Sequence, residues 1–459
     1  MDTTVGSVEP LTDSSADGKL ASGSTATARR AAYLKDLTVQ AKAAANESGL
    51  GLKPLRERAL GLVGDRTFPH GKDEEWRFTD LSDLLALPLE QAKPTKASLS
   101  VVENTVPLAS EYCLATVNGY YDAELSAIEK KLEGVVIAPL SVLLGSPDYS
   151  QKVGAAIASK LAQIQGDSEV FTALNTVGFA DVMVVWVSAD TVVDAPICIA
   201  RGSQDGAIAH LRTLVMGDRH AEFTLVESFW GDDEQPRCNN SVTEIWLEEG
   251  AQVDHIRLQD EGAQTFHIAK TAVSQAANSR YQCTAIDLGG QLSRHHLDVY
   301  QSGPQTDTHL YGLSALSGRQ LADTHSLLTL TYPHGSATQI QKNVADDRAH
   351  AVFNGRIYVA QNAQLTNASQ LNRNLLLSSK ARIDTKPELD IVADNVKCAH
   401  GATVSQLQAD EVFYLQSRGI SAAQAQRLLL YGFAMEIVEK ISVAPLKAML
   451  GDRISAWSR

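Results

Sequence analysis

The sequence lacks the long apolar run that a membrane span requires, since no stretch approaches ~18 consecutive apolar residues. Residues 1–28 also lack the basic start and apolar core of a secretory signal, and they are rich in Ser, Thr, Asp, Gly and Ala. We therefore expect a soluble protein without membrane contact, in which residues 1–28 form a disordered tail.

Cysteine is scarce, with five residues in 459. The odd number, the wide spacing and the absence of any CxxC pair do not resemble a disulfide framework or a zinc ribbon. These features predict a reducing, cytoplasmic location. The five residues are Cys113, Cys198, Cys238, Cys283 and Cys398.

The sequence has fewer basic than acidic residues: 40 Lys and Arg and 54 Asp and Glu give a formal net charge of −14. Such a chain is poorly suited to bind a phosphate backbone, so we expect no nucleic-acid partner. The motifs GxxxxGK[ST], HExxH and GxSxG and the EF-hand loop are missing, and Gly49-Leu50-Gly51 lacks the third glycine and preceding strand of a dinucleotide site. The sequence thus predicts a protein that is not an enzyme.

The length predicts two or three domains, at about 150 residues for each. Residues 29–110 carry apolar side chains at helical spacing and predict an N-terminal helical region. Residues 111–195 mix short β-prone runs with a helix and predict a mixed α/β transition segment. Residues 408–459 return to a helical period, with a capping box at Ser421 and Gln424, and predict a C-terminal helical domain.

Residues 196–407 have almost no helical periodicity and predict the β core. Short stretches place apolar residues two apart, as at Phe223 and Leu225 or at Ile357 and Val359, and end in small or turn-forming residues. No strict repeat length emerges. A β-sandwich also fits this alternation, but a β-solenoid better explains many short strands without long loops, because each coil buries its apolar face on the next.

Histidines are scattered through the β core, and most of their positions predict outward-facing or turn side chains. Adjacent strand residues face opposite sides, so the Arg294-His295-His296 run does not predict a metal site. Eight of the histidines to which this applies are His255, His267, His295, His296, His309, His325, His334 and His350.

Cys398 and His400 form a different pattern, because side chains two apart on a strand leave the same face about 6.6 Å from each other. Gly401 follows and allows a neighbouring backbone to approach. Zinc and iron-sulfur sites usually take about four ligands, so this pair predicts at most half of a metal site. A packing role for both side chains stays open.

The stretch KPELDIVADNVKCAHGATVSQL at residues 386–407, followed by FYLQSRGIS and AQRLLLYGFAMEIVEKI, resembles the C-terminal signature of the SufD family of the Suf iron-sulfur cluster assembly machinery. The resemblance extends back through FNGRIYVAQNAQLTNASQLNRNLLLS to VNGYYDAELS and KDEEWRFTDL. Several motifs in the right order thus cover nearly everything after the N-terminal tail. KCAHGAT is SufD-like, whereas SufB-like sequences carry a Glu-His-Glu-Ala stretch instead.

The resemblance implies a mainly β fold, with a right-handed parallel β-helix flanked by N-terminal and C-terminal helical domains. It implies a heterodimer with SufB through the β-helix ends, and binding of the ATPase SufC through the C-terminal helices, where Phe413, Tyr414 and Arg418 are the candidate contacts. Since paralogous partners tend to share an interface, the isolated chain is expected to be able to form a homodimer.

The same resemblance implies that His400 helps to build a nascent iron-sulfur cluster, with Cys398 as the nearby thiol and the other ligands donated by SufB. The cluster is transient and shared, so no cofactor is expected to bind this chain tightly. A flavin fingerprint is missing.

Three functions fit a β-solenoid of this kind. The first is a scaffold subunit that contributes ligands to the nascent cluster and to iron acquisition. The second is a purely structural partner that positions SufC. The third is a polysaccharide-acting enzyme, which would need clustered carboxylates or Lys and Arg side chains on one solenoid face, and usually a secretory signal, and the sequence has neither. The sequence therefore predicts the first.

Overall fold

The computed structural model describes residues 15–47, 51–64, 66–96, 110–128, 132–146, 151–164, 169–232 and 235–457. These residues form a two-sheeted β-solenoid of about eight turns, with helices before and after it. The mainly β class and the solenoid flanked by helices are confirmed. The right-handed sense of the coil stays a prediction.

The described helices fall within residues 15–178 and 409–457, on either side of the long run of solenoid strands. No helix in the ranges that the structure describes is both long and apolar enough to cross a bilayer. They are α1 (Ser15–Glu47), α2 (Lys53–Gly64), α3 (Ser82–Leu85), α4 (Leu140–Leu144), α5 (Gln151–Lys160), α6 (Val170–Gly178), α7 (Ala409–Ser417), α8 (Ala422–Val438) and α9 (Ala444–Trp457), with a 3-10 turn at Glu74–Trp76.

The first helix starts earlier than the sequence predicts. Residues 1–14 of the predicted disordered tail lie outside the described residues, but residues 15–28 are the first part of α1. Extending a helix adds one hydrogen bond for each residue fixed, whereas starting one is costly. The Ala-rich stretch after Arg29 can therefore carry the helix upstream, and the tail prediction is corrected for residues 15–28.

Strands make up most of the remaining chain, and those of the solenoid are about ten residues long. They are β1 (Glu90–Gln91), β2 (Tyr112–Val117), β3 (Tyr120–Ile128), β4 (Val135–Pro139), β5 (Met183–Val187), β6 (Val192–Ser203), β7 (Ala207–Gly217), β8 (Glu222–Gly231), β9 (Arg237–Leu247), β10 (Gln252–Asp260), β11 (Thr265–Gln275), β12 (Arg280–Asp287), β13 (Leu292–Gln301), β14 (Asp307–Leu316), β15 (Leu321–Leu330), β16 (Ser336–Ala345), β17 (His350–Val359), β18 (Asn367–Leu376), β19 (Arg382–Ile391) and β20 (Lys397–Gln406).

Successive strands alternate between two sheets. The first sheet contains β1, β4, β5 and the odd-numbered strands from β7 to β19, and the second contains β2, β3 and the even-numbered strands from β6 to β20. Strands of adjacent coils pair in parallel. The number of residues that separates two register partners along the sequence is not constant, and it is smaller for Phe266 and Leu292 than for His350 and Arg382. Turns of varying length thus separate strands of nearly constant length, which is why the sequence shows no strict repeat.

The two ends of the solenoid differ. At the N-terminal end, β3 pairs antiparallel with β2 and β4 pairs antiparallel with β5, so this end is capped. At the other end β19 and β20 are the last strands of their sheets, and no described strand pairs with their outer edges. The solenoid is therefore open at its C-terminal end.

Helices cover the outer faces of both sheets. On the second sheet, Ile256, Ile286 and Leu313 pack against apolar side chains of the C-terminal helices, including Ile437 and Leu446. On the first sheet, the side-chain amide of Asn175 in α6 donates to the backbone oxygens of Leu211 and Asn240, 2.8 Å from each. Both faces of the central strands are consequently buried.

Three of the histidines predicted to face outward lie instead in the solenoid interior. His255, His267 and His295 are almost completely buried. The prediction fails because strand alternation shows which residues share a face, but it cannot show which face is inside when helices bury the outer face as well.

The interior histidine His255 belongs to a buried polar network around the carboxylate of Glu227. Glu227 accepts hydrogen bonds from Thr213 at 2.9 Å and from Thr243 at 2.9 and 3.0 Å. The Nε2 atom of His255 lies 3.2 Å from the same carboxylate, and its Nδ1 atom lies 2.9 Å from the hydroxyl of Tyr281. Every polar atom of this carboxylate therefore has a partner within the solenoid.

The network keeps both Glu227 and His255 charged. Burial would raise the pKa of Glu227, but the hydrogen bond and charge of His255 and the charge of Arg201 together lower this pKa to about 2. Burial would lower the pKa of His255, but hydrogen bonds to Cys283 and Glu227 raise it to about 9. The pair is thus an ion pair at neutral pH.

Candidate functional site

The last strand, β20, carries Cys398 and His400 at the open end of the solenoid. Cys398 lies beside Ala368 of β18 in register, and His400 lies beside Gln370. Ala368 and Gln370 are buried in the interior, whereas Ser369 between them is exposed. Because the register is direct, Cys398 and His400 share a face, as the sequence predicts, and the structure shows that this face is the one that points into the solenoid. Their role as ligands stays a prediction.

The two side chains differ in their surroundings. Cys398 is half-buried and packs against the interior core with Leu389 and Val396, and this burial raises the pKa of its thiol. His400 is exposed, because no coil follows it, and within the described ranges it has neither a hydrogen bond nor an ion pair. His400 therefore presents a free imidazole to whatever meets this end.

Gln370, directly next to His400 in the ladder, was missed by sequence reasoning. Its side-chain nitrogen donates to the side-chain oxygen of Gln339 at 2.8 Å, whereas its own oxygen is buried without a partner. A Cβ atom at Gly355 would lie 2.3 Å from the nitrogen of Gln370, so this glycine leaves the space that the amide fills. Ligating histidines commonly donate their second ring N–H to such an oxygen. Only the strand register shows that Gln370 and His400 are neighbours.

The pair does not complete a metal site by itself. Within the part of the chain that the structure describes, no group of three or more His, Cys, Asp or Glu side chains is placed to hold a metal ion. Since about four ligands are usual for zinc or an iron-sulfur cluster, Cys398 and His400 can supply at most two of them.

The edge beside this pair is suited to meet another chain. The outer backbone groups of β19 and β20 have no strand partner among the described residues, and Ile391, Val392 and Val404 are exposed apolar side chains at this end. An unpaired, partly apolar edge is a template for strand addition by another protein.

The second candidate surface lies on the C-terminal helices. Phe413 and Tyr414 on α7 are 70% and 58% exposed, and the Arg418 guanidinium stacks 5.4 Å from the centre of the Tyr414 ring. Leu428 and Tyr431 on α8 are also exposed and line a groove of about 490 Å³. Exposed aromatic side chains grouped on one helical unit are typical of a protein-binding surface. Their role as contacts stays a prediction.

Comparison with known proteins gives two consecutive family matches. Residues 28–199 match the SufBD protein N-terminal region, and residues 199–433 match the SufBD core domain of SUF system FeS cluster assembly.

Individual relatives agree with these family matches. An iron-sulfur cluster assembly SufBD family protein of Synechocystis sp. is 42% identical over 434 residues, which cover 92% of this chain and 94% of the relative. The chloroplastic protein ABCI7 of Arabidopsis thaliana is 32% identical over 411 residues, covering 86% and 84%. The iron-sulfur cluster assembly protein SufD of Escherichia coli is 32% identical over 255 residues, covering 55% and 60%.

Proposed function

The chain belongs to the SufBD family of iron-sulfur cluster assembly proteins, and from this premise we propose that it is a non-enzymatic scaffold subunit of the Suf machinery. It pairs with SufB through the open end of its solenoid and binds the ATPase SufC through its C-terminal helices. At the SufB interface it contributes His400, with Cys398 as an auxiliary thiol, to a transient cluster and to iron acquisition. The observation that carries this proposal is the free imidazole of His400 at an unpaired solenoid end.

Pairing of this end with SufB would extend both sheets of the solenoid and would also complete the set of cluster ligands. Strands of a second solenoid continue both sheets from β19 and β20 and cover the exposed Val404. They also bring the ligands that this chain lacks next to His400. Thiolates suit ferrous iron and imidazole is a competent ligand, so a site divided between two chains can hold a cluster that is later handed on. The same edges allow the isolated chain to form a homodimer.

The C-terminal helices offer a route from SufC to the second sheet. Lys342 of β16 donates to the backbone oxygen of Phe433 in α8 at 2.8 Å and forms an ion pair with Glu436 at 2.5 Å. A displacement of α8 by SufC therefore acts on β16, which lies two strands from the strand that carries His400 in the same sheet.

A purely structural partner that positions SufC is the second candidate. It is favoured by one observation, the packing of Cys398 against the interior core, which accounts for this thiol without a metal. The cytoplasmic location is also part of our proposal, and the five described cysteines, all of them free thiols, support a reducing compartment.

Cluster assembly in the reconstituted complex tests the proposal. We expect SufB and SufC with this chain to form a complex that builds a cluster, followed by visible absorption under anaerobic conditions with iron and sulfide. The same mixture without this chain should build it at least ~10-fold more slowly, by analogy with the loss of supporting residues at metal sites. Equal rates with and without the chain would contradict the scaffold role.

Replacing Phe413 with Ala should weaken SufC binding by about 2 kcal/mol or more, which is ~30-fold in Kd, because large exposed aromatic side chains dominate the energy of protein interfaces. Phe413 is 70% exposed, so the substitution leaves the fold intact. Calorimetric titration with SufC measures the effect, and Val192→Ala, which removes an exposed apolar side chain near the capped end, is the matched control. An unchanged Kd for Phe413→Ala would remove this surface from the proposal.

A further inference from the structure

Two cysteines that are far apart in the sequence lie side by side at the capped end of the solenoid. Cys113 in β2 and Cys198 in β6 are direct register partners on adjacent parallel strands. Leu114 packs in the interior core, so its neighbour Cys113 faces outward, and Cys198 lies in the same outer cluster with Trp230. The two thiols therefore lie next to each other on the outer face of the second sheet.

The spacing of the strands fits a disulfide, but one under strain. Adjacent strands lie about 4.8 Å apart, inside the Cα–Cα range of about 4.4–6.8 Å that disulfides span. Directly opposed side chains of parallel strands have Cβ atoms at about the same spacing, which is wider than the ~3.8 Å usual across a disulfide. A bond between Cys113 and Cys198 would therefore draw the strands together and remain easy to reduce.

The cover over the two thiols is thin. Cys113 is only 8% exposed, and the side chains packed over it include Leu125 and Ala127 of β3. β3 is the terminal strand of the second sheet at this end, and its pairing with β2 shifts register between Cys113 and Ala115. An edge strand with a bulge opens at a lower free energy than the whole fold, so the thiols can meet a small reagent.

We propose that Cys113 and Cys198 are a reversible dithiol–disulfide site that reacts with small-molecule disulfides such as glutathione disulfide. The bond would tie β2, which carries the capping hairpin with β3, to the first long strand of the solenoid. Oxidation would thus hold the cap closed, and reduction would release it.

The exchange proceeds in two balanced steps. The Cys113 thiolate attacks one sulfur of glutathione disulfide, forms a mixed disulfide and releases one glutathione thiolate. The Cys198 thiol loses its proton to solvent, attacks the sulfur of Cys113 and releases the second glutathione. Two protein thiols and one glutathione disulfide become one protein disulfide and two glutathione molecules. The hydrogen bond from Cys198 outweighs burial and lowers the pKa of Cys113, which favours Cys113 as the first nucleophile.

Thiol counting on the full chain tests the site. After equilibration with excess glutathione disulfide, alkylation and peptide mapping should show two of the five thiols lost and the Cys113 and Cys198 peptides linked. Excess reduced glutathione should restore all five. Cys398→Ser, which removes a thiol at the opposite end, should leave the link intact, whereas Cys113→Ser should abolish it.

Two further measurements use the unaltered protein, in case Cys113→Ser disturbs folding. Phenylarsine oxide, which bridges neighbouring thiols, should bind one equivalent and protect Cys113 and Cys198 from alkylation. Amide hydrogen exchange in β2 and β3 should slow when the chain is oxidised. Five free thiols counted after the oxidant-treated chain is unfolded in denaturant for alkylation, or a mixed glutathione disulfide that persists on Cys113, would overturn the proposal.

Discussion

Replacing Glu227 with Ala should lower the free energy of unfolding by about 3–5 kcal/mol, because it leaves the charges of His255 and Arg201 buried without their anionic partner. Glu227 and His255 are almost completely buried inside the solenoid. The substitution also removes the acceptor for the hydroxyls of Thr213 and Thr243. Urea denaturation of the two proteins, followed by circular dichroism, measures the difference.

The matched control is a carboxylate on the surface. Glu124 is paired with Lys96 at 3.0 Å, but both side chains are mostly exposed. Because exposed pairs contribute about 0–1 kcal/mol, Glu124→Ala should leave stability nearly unchanged. If Glu227→Ala were as mild as this control, the interior network would not be an important source of stability.

The free energy of unfolding of the unaltered protein should also depend on pH, and the pKa shifts of Glu227 and His255 determine the direction of this dependence. The pKa of His255 is raised to about 9, so its contribution is complete below the ordinary histidine pKa near 6.5 and is lost as pH rises through 9. The pKa of Glu227 is lowered to about 2, so its contribution is present above about 4.5 and is lost as pH falls through 2. The difference in free energy of unfolding between the unaltered protein and Glu227→Ala should therefore be largest near pH 5–6 and should decrease towards pH 9.

The solenoid itself could be predicted from the sequence, but its interior could not. Apolar residues two apart, as at Ile357 and Val359, identify strands, and both side chains are indeed buried in the interior core. The same pattern cannot identify interior polar positions such as Glu227 and His255, because helices cover the outer faces as well. Polar side chains on a strand then give no indication of which face is inside.

The residues that lie side by side on adjacent coils could not be predicted from the sequence either, because the number of residues in a coil varies. Cys113 and Cys198 look scattered in the sequence, yet they are register partners across two adjacent strands. Gln370 and His400 are likewise partners only through the ladder. That Cys398 and His400 share a face could be predicted, because both residues belong to one strand and side chains two residues apart on a strand point to the same side.

Replacing His400 with Ala should slow cluster formation by at least ~10-fold in the reconstituted complex while leaving the complex assembled, since even residues that only support metal ligands contribute 10–100-fold. His400 is exposed in the isolated chain and has no partner among the described residues, so its loss costs the fold little. The rate of visible absorption growth measures the defect, and size-exclusion chromatography verifies the complex.

Thr403→Ala is the control for this prediction, because Thr403 is an exposed residue of the same strand on the opposite face from His400. Its loss should leave both assembly and cluster formation unchanged. Cys398→Ser should have a smaller effect than His400→Ala, because the Cys398 thiol packs against the interior core and burial raises its pKa, which disfavours the thiolate that a metal binds. A His400→Ala complex that builds clusters at the unaltered rate would contradict the ligand role of His400 and favour the purely structural alternative.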